Sequence, residues 1–186
     1  MRRRSFLKTA AAVIPAAGLH EMLFSFAHAE APAEKRALHP VPFGEDRSGS
    51  AHTTAFSTLL YKVLPSETGG NLFLIEHQHL RAGGPPLHVH LSQEEWFYVI
   101  EGRVAFQVGE QRIELKPGES VLAPRMIPHT FAGSETPARM LIGFTPAGKM
   151  EQFFRDTNGG IPEHDQAALF ARYDMRYIGP SPFKNA

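Results

Sequence analysis

Turn-forming residues interrupt this 186-residue chain at short intervals, and that punctuation constrains its fold more than any other feature. Gly69-Gly70, Gly83-Gly84-Pro85-Pro86, Gly102, Gly109-Glu110 and Pro117-Gly118 separate apolar runs that are mostly too short for helices. The runs cover residues 56–64, 72–80, 87–90, 95–100, 104–108, 112–115, 120–123, 129–131 and 139–145. Within them apolar and polar positions alternate. Val104, Phe106 and Val108 fall on one face of an extended segment and Arg103, Ala105 and Gln107 on the other, and Met140, Ile142 and Phe144 repeat the pattern. Many short, half-buried strands joined by tight turns predict an all-β sandwich or barrel over residues 56–146. The chain length suits one such domain better than two.

The flanks read differently. After Pro146 the residues Met150, Phe153, Phe154 and Thr157 take helical spacing, and Gly159-Gly160 supplies a stop. Leu169 and Tyr173 place a second helix over residues 165–175. Residues 147–186 are therefore read as a helical tail that caps the barrel or makes a subunit contact, as in a homodimer. Residues 30–55, rich in Pro, Gly and charge, read as an N-terminal arm. At the start, Arg3-Arg4-Ser5-Phe6-Leu7-Lys8 precedes an apolar stretch ending in Ala27-His28-Ala29. This resembles a twin-arginine signal, so residues 1–29 are expected to be removed before Glu30, with the folded protein exported to the periplasm or secreted. Removal would leave 15 basic against 18 acidic residues. That balance gives no electrostatic reason to bind nucleic acid or, after cleavage, a membrane, and points to a small-molecule ligand.

With no cysteine in the chain, a metal would have to be held by histidine and carboxylate. His88 and His90 sit two apart in a strand and so point the same way. Glu95 opens the next strand on the face that also carries Phe97 and Val99. A carboxylate turned toward an apolar interior costs several kcal/mol, roughly, unless a cation meets it. His129 begins a later strand whose next inward residue is Phe131. Three imidazoles and one carboxylate without sulfur suit one divalent transition ion, with Mn, Fe, Ni, Co, Cu and Zn all compatible. Glu95 is also expected to accept a proton in catalysis, and Phe97, Val99, Phe106, Phe131 and Phe144 to line an apolar substrate cavity. His77 and His79 alternate on one face with Phe73 and Ile75. They are read as structural, since no carboxylate is spaced to join them. Trp96 and Tyr98 take the face opposite Glu95, and Glu94 faces solvent or sits just outside the ligand set.

These residues fall into two motifs. Gly84, His88, His90, Glu95 and Gly102 form the first, with the initial glycine closer to the histidines than the usual pattern, and Gly118, Pro124 and His129 form the second. In this arrangement the chain resembles the cupins. Met126 stands where the second motif usually has Gly, and Gly133 where it has Asn. The resemblance implies a small jelly-roll β-barrel with short C-terminal helices and one metal ion on His88, His90, Glu95 and His129. Phe144-Thr145-Pro146, Phe153-Phe154 and Tyr177-Ile178-Gly179-Pro180 resemble single-domain cupins described as similar to quercetin dioxygenase, which implies a metal-dependent oxidoreductase of dioxygenase type. A non-catalytic ligand- or metal-binding cupin and a metal-dependent sugar isomerase are the alternatives.

Overall fold

The computed structural model describes residues 38–183. The signal segment and residues 30–37 of the arm lie outside the described residues, and from Pro40 onward the chain forms one unit. Eleven strands are described: β1 (His52–Thr53), β2 (Thr58–Val63), β3 (Phe73–Leu80), β4 (Leu87–His90), β5 (Glu94–Glu101), β6 (Val104–Val108), β7 (Gln111–Leu115), β8 (Ser120–Ala123), β9 (His129–Ala132), β10 (Ala138–Thr145) and β11 (Met175–Gly179). Helices α1 (Met150–Asp156) and α2 (Gln166–Arg172) lie between the last two. The strands form a six-stranded sheet ordered β1-β2-β3-β10-β5-β8 and a five-stranded sheet ordered β11-β4-β9-β6-β7. This is the all-β, jelly-roll architecture expected from the alternation.

The period of two decides what each sheet turns inward. Along β5, Glu95, Phe97 and Val99 are buried, whereas Trp96 is exposed and Tyr98 half-buried. Phe97, Phe106 and Phe131 meet edge-on or tilted with ring centroids 5.0–6.2 Å apart. Burying each ring contributes about 1.5–3 kcal/mol. The β5–β6 turn requires glycine. Gly102 has φ +75°, and a Cβ there would lie 2.8 Å from the Ala138 side chain.

Three segments depart from the sequence reading. His79 does not share the inward face of His77. Its backbone has φ +52°, the pairing with β10 slips between Ala138 and Met140, and this bulge turns Leu80 inward and His79 to solvent. Residues 175–179, assigned to the helical tail, form β11 and pair with β4. Helix α2 accordingly ends at Arg172, and Asp174 at φ +58° starts the reversal. In the arm, residues 52–53 pair with β2 as β1. Asp46 accepts the Tyr61 amide at 2.6 Å, fastening the preceding loop to the sheet. Among the described residues no helix is long and apolar enough to cross a membrane.

Candidate metal centre

Three strands bring the four expected ligands together, and a fourth, β11, braces one of them. β4 supplies His88 and His90, and it is fixed on both sides, by β9 through the His88–His129 pair and by β11 through Tyr177 opposite His88. β5 carries Glu95 in the other sheet, and β9 carries His129. One ligand atom from each residue lies within 4.8 Å of those from the other three, and all four residues are buried. His129 Nε2 is 2.8 Å from Glu95 Oε2, and His90 Nε2 is 3.2 Å from the same oxygen.

Hydrogen bonds at the far side of the rings set which nitrogens face the centre. His88 Nδ1 lies 2.8 Å from the Pro86 carbonyl and His129 Nδ1 lies 2.9 Å from the Ile127 carbonyl. A carbonyl only accepts, so each Nδ1 carries a proton; the neutral His88 ring turns its Nε2 lone pair inward, and His129 offers the same atom once the Nε2 proton that it shares with Glu95 is lost. His90 is 1% exposed, and neither of its ring nitrogens has a hydrogen-bond partner, because the approach to Glu95 is close but misaligned. Buried lone pairs facing a carboxylate without a proton or a cation between them repel. A shared divalent ion resolves the conflict, so these four residues fit a metal.

The protonation balance of the protein groups points the same way. Burial alone would raise Glu95, but the hydrogen bond from His129 and the nearness of His90 reverse it and hold the carboxyl far below the usual range. A carboxyl held that low is a permanent anion and a weak base, which favours the ligand role over proton acceptance. Burial would lower His129, and its bond to Glu95 raises it instead. His88 has no such partner. Burial, with the neighbouring histidines, pushes it down to about 3, so its imidazole stays neutral.

A cavity of about 200 Å³ opens above the centre, with His88, His90 and Glu95 among the residues on its wall. Phe131 and Phe144 line it as expected. Phe97, Val99 and Phe106 do not: they are no more than 1% exposed and pack in the barrel core, with Phe97 edge-on to the His129 ring at 6.4 Å. The rest of the wall comes from the tail. Met150, Phe153 and Phe154 of α1 and Phe170 of α2 reach over the opening, with Phe170 edge-on to His88 at 5.5 Å. The Phe153-Phe154 pair was the sequence signal for this roof, but helical spacing alone does not say which surface a helix covers. His77 also lines the cavity.

Outside the centre, Glu94 accepts hydrogen bonds from the Arg125 amide at 2.7 Å and the Arg125 guanidinium at 2.5 Å. This fastens the loop that leads to His129. Met126, in the glycine position of the second motif, keeps the left-handed conformation at φ +67° and donates its amide to the His90 carbonyl at 2.8 Å. Gly133, where Asn is usual, leaves no room for a side chain: a Cβ would lie 2.3 Å from the Arg81 carbonyl oxygen.

Two facing antiparallel sheets with a buried three-histidine, one-carboxylate cluster between them define a metal-binding jelly roll. Residues 76–144 match the family model described as Cupin domain, a span that contains all four converging residues. An oxidoreductase, OpS7 of Beauveria bassiana, is 30% identical over 114 residues, 61% of this chain. The alignment spans only 27% of that relative's length. The structure of KdgF from a Halomonas species superposes with a TM-score of 0.51 at 14% identity, covering 59% of this chain and 94% of that one. An RmlC-like cupin from Shewanella frigidimarina gives 0.51 at 16% identity over 61% and 96%. At these identities the structural likenesses speak for the fold alone.

Proposed function

We propose that this protein is an exported, metal-dependent oxidoreductase of dioxygenase type that acts on a small, largely apolar oxygenated molecule. The observation that carries the reading is the buried His88, His90, Glu95 and His129 cluster at the base of an apolar cavity. A divalent transition ion on these four residues would supply Lewis acidity and open coordination positions. The chain's own groups do the rest. Glu95 balances the ion's charge, the Nδ1 bonds of His88 and His129 fix the ring orientations, and Phe131, Phe144 and Phe170 exclude water and hold a flat ring by its faces and edges. The 30% identity to an oxidoreductase supports the redox assignment. The apolar wall disfavours a sugar, whose hydroxyls would be left unpaired.

Size narrows the substrate. A cavity of roughly 150 Å³ holds benzene, so about 200 Å³ is room for one substituted ring and not for a flavonoid with its three rings. The test is elemental analysis of protein from its native compartment, followed by oxygen uptake with single-ring catechols and enolisable diketones. Stoichiometric metal and turnover that vanish together in His88→Ala are expected. Stoichiometric metal with ligand binding but no turnover across the panel would instead identify a non-catalytic binder. Export is tested by fusing residues 1–29 to a reporter: loss of transport on Arg3→Lys together with Arg4→Lys is expected, and undiminished transport would refute the twin-arginine route.

A further inference from the structure

Of the polar wall residues that the proposed metal chemistry leaves unused, Thr54, His77, Thr157, Glu163 and Gln166, His77 is the most buried. His77 is 2% exposed and lines the cavity on β3. Glu95, Phe144 and Phe73 form one row across the sheet, so His77 lies two strands over from Glu95 and four residues along. It therefore occupies a different wall. The ring is held between two aromatic neighbours, parallel to Phe56 at 6.2 Å and edge-on to Phe131 at 5.4 Å.

Its protonated nitrogen can be read from a chain of hydroxyls. Thr54 Oγ1 accepts the amides of Phe56 and Ser57 at 3.2 and 3.0 Å, so it donates its own proton, and Ser57 Oγ at 2.9 Å is a nearer acceptor for it than the Ser57 carbonyl at 3.4 Å. Ser57 Oγ, having accepted that proton, donates its own to His77 Nδ1 at 2.7 Å. Nδ1 is then an acceptor and the proton of the neutral imidazole sits on Nε2, at the ring tip that an inward-pointing side chain presents to the cavity. Burial pushes His77 down to about 3, which keeps the ring neutral. No Lys or Arg lines the cavity among the described residues.

We infer that His77 is a specificity-determining residue whose Nε2–H takes an oxygen acceptor, a carbonyl or a neutral hydroxyl, on the side of the substrate away from the metal centre, with Ser57 and Thr54 as positioning residues that fix its tautomer. The inference rests on the reading of this cavity as the substrate site. It selects neutral, single-ring compounds with oxygen at two separated positions.

The test compares phenol with 4-hydroxybenzaldehyde on the full-length zinc-loaded protein, titrated by NMR. The wild type is expected to bind the aldehyde up to roughly tenfold more tightly, the worth of one net hydrogen bond. His77→Phe should abolish that preference while keeping phenol binding and zinc content, and His77→Gln, whose amide is also a donor, should restore part of it. A long-range proton–nitrogen spectrum should show the Nε2–H tautomer in the wild type and a mixture in Ser57→Ala. An undiminished aldehyde preference in His77→Phe, no preference in the wild type, or an Nδ1–H tautomer overturns the role of His77. Failure of both probes to bind a fully zinc-loaded wild type would remove the cavity reading itself, and this inference with it.

Discussion

Replacing Gly84 by alanine should damage both the fold and the metal centre, by an amount that follows from a single close approach. A Cβ on Gly84 would lie 1.7 Å from the Phe131 carbonyl oxygen and 2.9 Å from its carbon. The obstacle is backbone, and ordinary contact begins near 3.4 Å, so β9 must shift by more than about 1.5 Å. Thr130 Oγ1 also donates to the Pro85 carbonyl at 2.7 Å, tying the same two segments together. That shift falls two residues from His129, whose Nε2 sits 2.8 Å from Glu95. Overpacking of this kind costs about 3 kcal/mol, or roughly 6–12 °C in melting temperature for a domain of this size. Displacing one ligand strand should weaken metal binding about 10- to 100-fold. Urea denaturation of the metal-free protein reads the first effect, and zinc titration of the folded fraction reads the second. The control is Gly179→Ala, where the added carbon meets nothing within 4 Å, and its stability should stay within about 0.5 kcal/mol of wild type. If Gly84→Ala matched that control, the steric argument for the first motif's glycine would be wrong.

Metal affinity should rise with pH until His129 loses its proton, because Glu95 keeps that proton on the metal-free ring; calorimetry in buffers of different ionisation enthalpy should count more than half a proton released at pH 6.5, the ordinary imidazole value, and a count near zero refutes this. On the outer sheet face, Glu76 accepts Arg139 Nε and Nη2 at 3.1 and 2.9 Å and lies 3.2 Å from Lys62. Burial would raise its carboxyl, but bonds from Gln78, Arg139 and Lys62 lower it, so its contribution is present above pH 4.5 and lost as pH falls through the depressed value. Glu76→Gln should therefore cost about 3 kcal/mol at pH 7 and less at pH 3, measured by urea denaturation, whereas a pH-independent loss would contradict the ion-pair origin. Phe170→Ala should destabilise the fold by about 3–5 kcal/mol and let the cavity accept two-ring ligands that the wild type rejects; unchanged ligand selectivity would show that α2 does not limit the site.

Local order explains most of what was legible beforehand. β4, β6 and β8 coincide with the runs read from the sequence, and β2, β3, β5, β7, β9 and β10 differ only at their ends, because alternation and turn glycines are properties of neighbouring residues. The four clustered residues were legible for the same reason. His-x-His geometry and the Glu95-Phe97-Val99 face follow from a period of two, and a buried carboxylate demands a partner wherever it occurs.

Tertiary structure decided the rest. Met175-Arg176-Tyr177-Ile178-Gly179 alternates as a strand should, yet pairing with β4 nearly ninety residues earlier made it β11, and a five-residue segment has no stable form without that partner. Which aromatic residues form core and which form cavity wall depended on how α1 and α2 close over the barrel, so Phe97 and Phe106 sank beneath the site while Phe153 and Phe170 came to roof it. His77 and His79 looked equivalent along the chain until a bulge turned one into the cavity and the other to water. Short-range chemistry wrote the strands and the ligand spacing into adjacent residues, whereas the cavity is a space between distant segments and exists only once they pack.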